Sequence, residues 1–250
     1  MNILSGKYNS SAKLKIIVEG EKAMVQNNIL MLFDIDGTLV QGAKCHYQAY
    51  IEGVRKFYGM EEYVHSINAA GKSDQLILHE ILTLGGLTAE EIQKNFQNCL
   101  DFMTDYYLKN VQYENIRALD GTAELLRELK RKNVLLGLVT GNLEPIAYAK
   151  LERAGLDGYF SFGGFGSDNA DRSLLVKKAL TIANQLGFNG NRIFVIGDTP
   201  RDVEAAQAYN LETIAVATGM YSTCELRDCG ADYVVENFKN KDKILEILYK

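Results

Sequence analysis

The sequence predicts an α/β protein, a Rossmann-like parallel sheet core with an inserted α-helical cap. Three observations lead there. Residues 29–34 form a short apolar run that ends in a carboxylate, the pattern of a strand buried on both faces. Helical and strand patterns alternate from Leu119 to the C-terminus, which requires crossover connections and hence parallel strands. Residues 42–115 read as helix with no parallel-sheet run, so they interrupt the alternation as an insertion.

Residues 1–28 lack sustained periodicity and read as an N-terminal extension, with a short strand possible over 14–19. The first firm element is the strand at 29–34. A helix over 43–58 carries apolar residues at helical spacing and stops before Gly59. Thr88-Ala89-Glu90-Glu91 has the form of a capping box and opens a long helix to about 109. A helix over 121–132 ends in Lys130, Arg131 and Lys132, favourable against the negative end of its dipole. Strand 134–139, helix 144–154, strand 159–162 and helix 172–186 follow, with Gly155 and Gly187 closing the two helices. Strand 193–196, helix 201–208, strand 213–217, an edge strand at 233–235 and a helix at 241–248 complete the chain. The expected division is a core of about five parallel strands from 29–41 and 116–250, a cap from 42–115, and the extension.

With 250 residues, 47% of them hydrophobic and 24% charged, the chain is long enough for one large core and a smaller inserted unit. A net charge of −5 disfavours nucleic-acid binding, which needs a basic face. No apolar run approaches the roughly 20 residues that span a bilayer. The only early apolar cluster, Ile16-Ile17-Val18, lies between Lys15 and Glu19 and does not resemble a signal peptide. Cys45, Cys99, Cys224 and Cys229 are therefore expected as reduced thiols in a cytoplasmic protein, with Cys224 and Cys229 the one pair near enough in sequence to test for a bond. His46, His65 and His79 form no ligand pair at helical spacing, so neither a zinc site nor histidine-driven catalysis is expected. A monomer or homodimer acting on a small molecule, without nucleic acid or membrane, is the expected form.

Ligands of open α/β sheets bind beyond the carboxyl ends of the strands, and three strands here end in polar residues suited to phosphate chemistry. The first gives Asp34-Ile35-Asp36-Gly37-Thr38, the second Thr140-Gly141-Asn142, and the third Gly197-Asp198-Thr199-Pro200-Arg201-Asp202. An aspartate is ionised at neutral pH and needs no base to attack phosphorus. Its difficulty is repulsion from the anionic phosphate, which a divalent cation relieves.

In these motifs, their order and the position of the helical insertion, residues 29–236 resemble the haloacid dehalogenase superfamily, in its phosphoglycolate-phosphatase-like branch. The resemblance implies a Mg²⁺-dependent phosphatase acting on a small phosphate monoester such as phosphoglycolate. Asp34 would be the nucleophile that forms an aspartyl-phosphate. Asp36 would be the general acid and then the base, its backbone carbonyl a metal ligand. Thr140, the backbone near Gly141 and Asn142 would hold the phosphoryl oxygens. Asp198 would bind Mg²⁺ directly, and Asp202 would orient its waters or ligands.

The third motif departs from the family pattern. Relatives carry a lysine before the helix that precedes the fourth motif, whereas this chain reads Ser167-Asp168-Asn169-Ala170-Asp171-Arg172-Ser173. Arg172 is the substitute, since a guanidinium can pair with both Asp34 and phosphate, and Lys177 is the rival. Gly71-Lys72-Ser73-Asp74 resembles the specificity loop of helical caps, which would bring Lys72 to the substrate's anionic or polar end. His46 is expected on a helix surface, and Tyr47, Tyr50, Tyr106 and Tyr107 on cap helices. Two other readings stand beside the phosphatase. A sugar phosphomutase of the same superfamily also needs Asp34 and Asp36. A non-catalytic phosphate-ligand-binding regulatory protein would not need an acid. Haloacid dehalogenation is disfavoured, because displacing halide gives an acid at position 36 nothing to protonate.

Overall fold

The computed structural model describes residues 28–42, 44–60 and 62–250. The N-terminal extension, with the strand expected at 14–19, lies outside the described residues.

The central strand β1 (Ile29–Phe33) is buried along its whole length. Successive side chains of a strand point to opposite faces. Ile29, Met31 and Phe33 accordingly enter one hydrophobic cluster, while Leu30 and Leu32 enter another. A continuous apolar run is thus two alternating faces, each covered by helices. β1 pairs in parallel with β4 (Leu135–Thr140) on one side and β6 (Arg192–Gly197) on the other. With β5 (Gly163–Phe165), β7 (Glu212–Val216) and β8 (Tyr233–Val235) the order is β5-β4-β1-β6-β7-β8, six parallel strands rather than five. The chain moves outward through β4 and β5, then returns across β1 to begin the other half. That reversal makes the carboxyl end of β1 the topological switch point.

A two-residue strand β2 (Val40–Gln41) pairs antiparallel with β3 (Arg117–Ala118). Between these strands lie the helices α1 (Lys44–Tyr58), α2 (Asp74–Leu84) and α3 (Ala89–Asn110). The ribbon brings together the stretches on either side of these three helices. α1 packs closely on α3, because Gly53 lacks a Cβ that would lie 2.9 Å from the Met103 side chain. Thr88 and Glu91 form the reciprocal capping box at the start of α3. α2 was not foreseen as a separate helix, and neither was the short α8 (Thr223–Asp228).

In the second half, α4 (Thr122–Arg131), α5 (Glu144–Arg153) and α9 (Lys241–Leu248) contribute to the first cluster. α6 (Arg172–Gln185) and α7 (Pro200–Gln207) cover the opposite face through Leu175, Val176, Ala179, Ala205 and Ala206. One strand is displaced from its expected place. Residues 159–162 do not form it; the strand is Gly163–Phe165, preceded by a 3₁₀ turn at Asp157–Tyr159. Low strand propensity hid the two glycines, yet the packing demands them. A Cβ at Gly163 would sit 2.7 Å from Leu138, and one at Gly164 2.0 Å from the carbonyl oxygen of Leu175.

All four cysteines are free, Cys224 and Cys229 included. Among the described residues no helix is long and apolar enough to cross a membrane.

Candidate active site

β1 ends where its ladder delivers Asp34 to the rim of the sheet, its N–H held by Ile196 O at 2.8 Å. The side chain is 5% exposed, and its Oδ1 lies 2.8 Å from Arg172 Nη2. Arg172 is the first residue of α6, whose N-cap Asp171 accepts from the Ser173 N–H. Its guanidinium is buried and ties four segments together. Nη2 also donates to Asp202 Oδ1 at 2.5 Å and Val139 O at 3.1 Å, and Nη1 reaches Gly71 O at 3.3 Å. Burial opposes that charge, but Asp202 and Asp34 outweigh it and raise the pKa further. The rival Lys177 is on the exposed side of α6, away from this cluster.

Asp198 follows β6 and is 4% exposed. Thr38 Oγ1 donates to its Oδ1 at 3.1 Å. Gly37 and Gly219 let the backbone close on this carboxylate, since a Cβ at either would fall within 2.5 Å of Oδ2. Asp202 stands behind, in the first turn of α7, where its Oδ2 accepts from Thr199 N at 3.1 Å and Thr199 Oγ1 at 2.7 Å. One carboxylate thus caps the helix and anchors Arg172. Asp34, Asp198 and Asp202 each offer an oxygen, and these oxygens lie within 4.8 Å of one another. Burial, followed by Arg172's opposing pull and then repulsion from Asp202 and Asp36, leaves the Asp34 pKa raised. Burial and repulsion from Asp34 and Asp202 raise that of Asp198 well above the ordinary carboxylate range. Three buried acids with one shared guanidinium leave negative charge uncompensated. An all-oxygen donor set of that charge fits a hard divalent cation such as Mg²⁺.

Asp36 turns the other way. Its Oδ2 accepts from Lys150 Nζ at 2.6 Å and Asn142 Nδ2 at 2.8 Å. Burial pushes this carboxyl up, but the Lys150 ammonium and then His46 outweigh it and hold it low. Thr140 ends β4, is fully buried, and accepts at Oγ1 from Asn142 Nδ2 at 2.7 Å. Accepting there leaves its own hydroxyl proton free to donate.

The segment that opens α2 packs on these loops. Asp74 N–H donates to Gly141 O at 2.8 Å, Ser73 Oγ to Ala170 O at 2.8 Å, and Gln75 Nε2 to Gly166 O at 2.6 Å. Asp74 is buried, and its carboxylate accepts from Leu143 N at 2.8 Å and Tyr50 Oη at 2.6 Å. The result is a cavity of about 380 Å³ over the switch point. Asp34, Asp36, Lys72, Thr140, Gly141, Asn142, Arg172 and Asp198 all line it, whereas Asp202 does not. Lys72 is ion-paired with Glu80 of α2.

Sequence reasoning missed Lys150 and Asp74, and placed His46 wrongly. His46 is not a surface residue: its side chain is 13% exposed, with Nε2 3.1 Å from Asp74 Oδ1 and Nδ1 3.0 Å from Lys150 Nζ. The signal for Lys150 is its register. Ile146, Ala147, Lys150 and Leu151 share the buried stripe of α5, and a lysine in that stripe is out of place unless something pairs it.

Residues 30–210 match the haloacid dehalogenase-like hydrolase family. The chain is 25% identical over 231 residues to the tyrosine-protein kinase PtkA of Mycobacterium tuberculosis, covering 88% of this chain and 72% of that protein. It is 26% identical over 193 residues to a phosphoglycolate phosphatase of Aquifex aeolicus, covering 76% and 85% respectively. A crystal structure of a predicted phosphatase from Clostridium acetobutylicum superposes with a TM-score of 0.68 at 24% identity, over 88% of this chain and 99% of that one.

Proposed function

The chain belongs to the haloacid dehalogenase-like hydrolase family, and on that premise we propose that it is a Mg²⁺-dependent phosphatase of a small organic phosphate monoester. Residues 42–115 are the cap in this reading, and 29–41 with 116–250 the core. The observation that carries it is the meeting of Asp34 and Asp198 within reach of one cation, beside a buried guanidinium and at a cavity over the switch point.

Asp34, Asp198 and the backbone carbonyl of Asp36 are the proposed ligands, with Asp202 supporting them from behind. Mg²⁺ bound there supplies charge neutralisation at the phosphoryl oxygens. Thr140, the Gly141 backbone, Asn142 and Arg172 hold the remaining oxygens, and Lys72 faces the rest of the substrate. The free carboxylate oxygen of Asp34 attacks phosphorus, and the bond from phosphorus to the leaving oxygen breaks. Asp36, protonated beside the anionic phosphate because a neighbouring negative charge disfavours its carboxylate, gives that oxygen its proton. Asp36 then takes a proton from water as the water attacks the phosphoaspartate. Inorganic phosphate leaves and the Asp34 carboxylate returns. The insertion keeps bulk water out during the first transfer.

The test is release of inorganic phosphate from a panel of phosphate esters, headed by phosphoglycolate, with and without Mg²⁺. Asp34→Asn is expected to abolish Mg²⁺-dependent release while circular dichroism stays unchanged. Full activity in that variant overturns the assignment. The kinase-named relative gives weight to transfer onto a hydroxyl instead of water. A phosphomutase would show itself by activation with trace sugar bisphosphate and by isomerised ester in place of free phosphate.

A further inference from the structure

Lys150 is 1% exposed, and its ammonium is fully committed. An ammonium has three protons to donate. Nζ lies 2.6 Å from Asp36 Oδ2, 2.7 Å from Asn142 Oδ1 and 3.0 Å from His46 Nδ1. Burying a lysine in the apolar stripe of a helix is expensive, and a leucine there would pack against the same neighbours. The stripe therefore carries a cation for what the cation touches.

The contacts converge on one atom. Lys150 and Asn142 both donate to Oδ2 of Asp36, and Asn142 is itself pinned by Lys150 and by Thr140. A carboxyl group whose one oxygen accepts two hydrogen bonds keeps its proton on the other. Asp36 lines the cavity, and among the described residues its side-chain hydrogen bonds are made at Oδ2, leaving Oδ1 as the oxygen free to act there. The third donor reaches the inserted helices at Nδ1 of His46, whose Nε2 lies 3.1 Å from Asp74 Oδ1. His46 also stacks on Tyr50, whose hydroxyl donates to the same Asp74 oxygen.

We propose that Lys150 is the positioning residue of the acid/base Asp36, holding Oδ2 so that Oδ1 alone delivers the proton to the leaving oxygen. The proposal rests on the acid/base reading of Asp36 given above. In the first step the Asp36 Oδ1–H bond breaks as the leaving oxygen gains that proton. In the second, Oδ1 accepts a proton from the attacking water. Lys150 keeps its own three protons throughout.

Lys150→Met, which keeps the length of the side chain and removes the donors, tests this with two substrates. An alkyl phosphate must lose an alkoxide and needs the proton. p-Nitrophenyl phosphate loses a stable phenolate and does not. For the alkyl ester kcat is expected to fall about 10- to 100-fold with KM little changed, the range for removing the group that orients a functional residue. For p-nitrophenyl phosphate a pre-steady-state burst of one nitrophenolate per enzyme is expected at close to the wild-type rate. A slow steady state follows, because water activation still needs Asp36. Equal loss of the first step for both esters, or no loss for either, overturns the proposal. If Lys150→Met does not fold, Lys150→Leu, which also lacks a donor and suits the apolar stripe, is read the same way. Wild-type protein that releases no phosphate from either ester sinks the phosphatase reading instead, so the two failures are distinguishable.

Discussion

Asp34 and Asp198 are acids that proximity and burial keep from ionising freely while no cation joins them. The unfolded chain releases these protons near pH 4, and the metal-free fold retains them to higher pH. The fold therefore binds more protons than the unfolded chain above that point, and its stability from these groups declines as pH rises towards neutrality. Mg²⁺ must displace the same protons to bind, so its stabilising effect grows with pH. Melting curves with Mg²⁺ and with EDTA should diverge more at about pH 8 than at about pH 6. An equal separation at both values would show that these carboxylates are not the ligands. Arg172 and Lys150 divide the labour at this scale. The guanidinium bridges Asp34 and Asp202 through Nη2, and the ammonium holds Asp36.

Among elements, the contact that decides access is the turn before α2 lying on the loop after β4. Gly141 is the point of closest approach, because a Cβ there would sit 2.1 Å from the Lys72 carbonyl oxygen. Gly141→Ala should push the segment from Gly71 to Gln75 off the core, lowering kcat/KM by about 10-fold or more, the scale of a misplaced closing element. The sheet itself should be untouched, so the far-ultraviolet spectrum and the core's melting should stay near wild type. Unchanged kcat/KM would mean that the docked arrangement is not the reactive one. The same physics explains the misread strand. At Gly163 and Gly164 small size, which hides a strand from propensity, is what lets the backbone lie against Leu138 and Leu175.

For the molecule as a whole, β1 serves as common wall to two cores. Leu32 fills the smaller one, with Gly137 close enough that a Cβ there would lie 2.9 Å from its Cδ2. Leu32→Ala should cost about 2–5 kcal/mol in urea unfolding, since so confined a site cannot collapse around the void. A loss well under 1 kcal/mol would show that the two cores are not tightly packed.

The parallel order of the elements and the three loops bearing Asp34, Thr140 and Asp198 were legible in the chain. Periodicity marks buried strands locally, and a polar residue at the end of an apolar run stands out against it. Arg172 was legible only as one of two cations, and space chose it over Lys177 by seating it between Asp34 and Asp202. Lys150, His46 and Asp74 were not legible as site residues. His46 lies 28 positions from Asp74, and Lys150 lies 104 and 114 positions from His46 and Asp36; a lysine in an apolar stripe names no such partner until the helix is packed. Local pattern marked most of the strands and the polar residues at their ends. Only the tertiary structure decided which charges meet, because pairing across a fold depends on distances that sequence spacing does not encode.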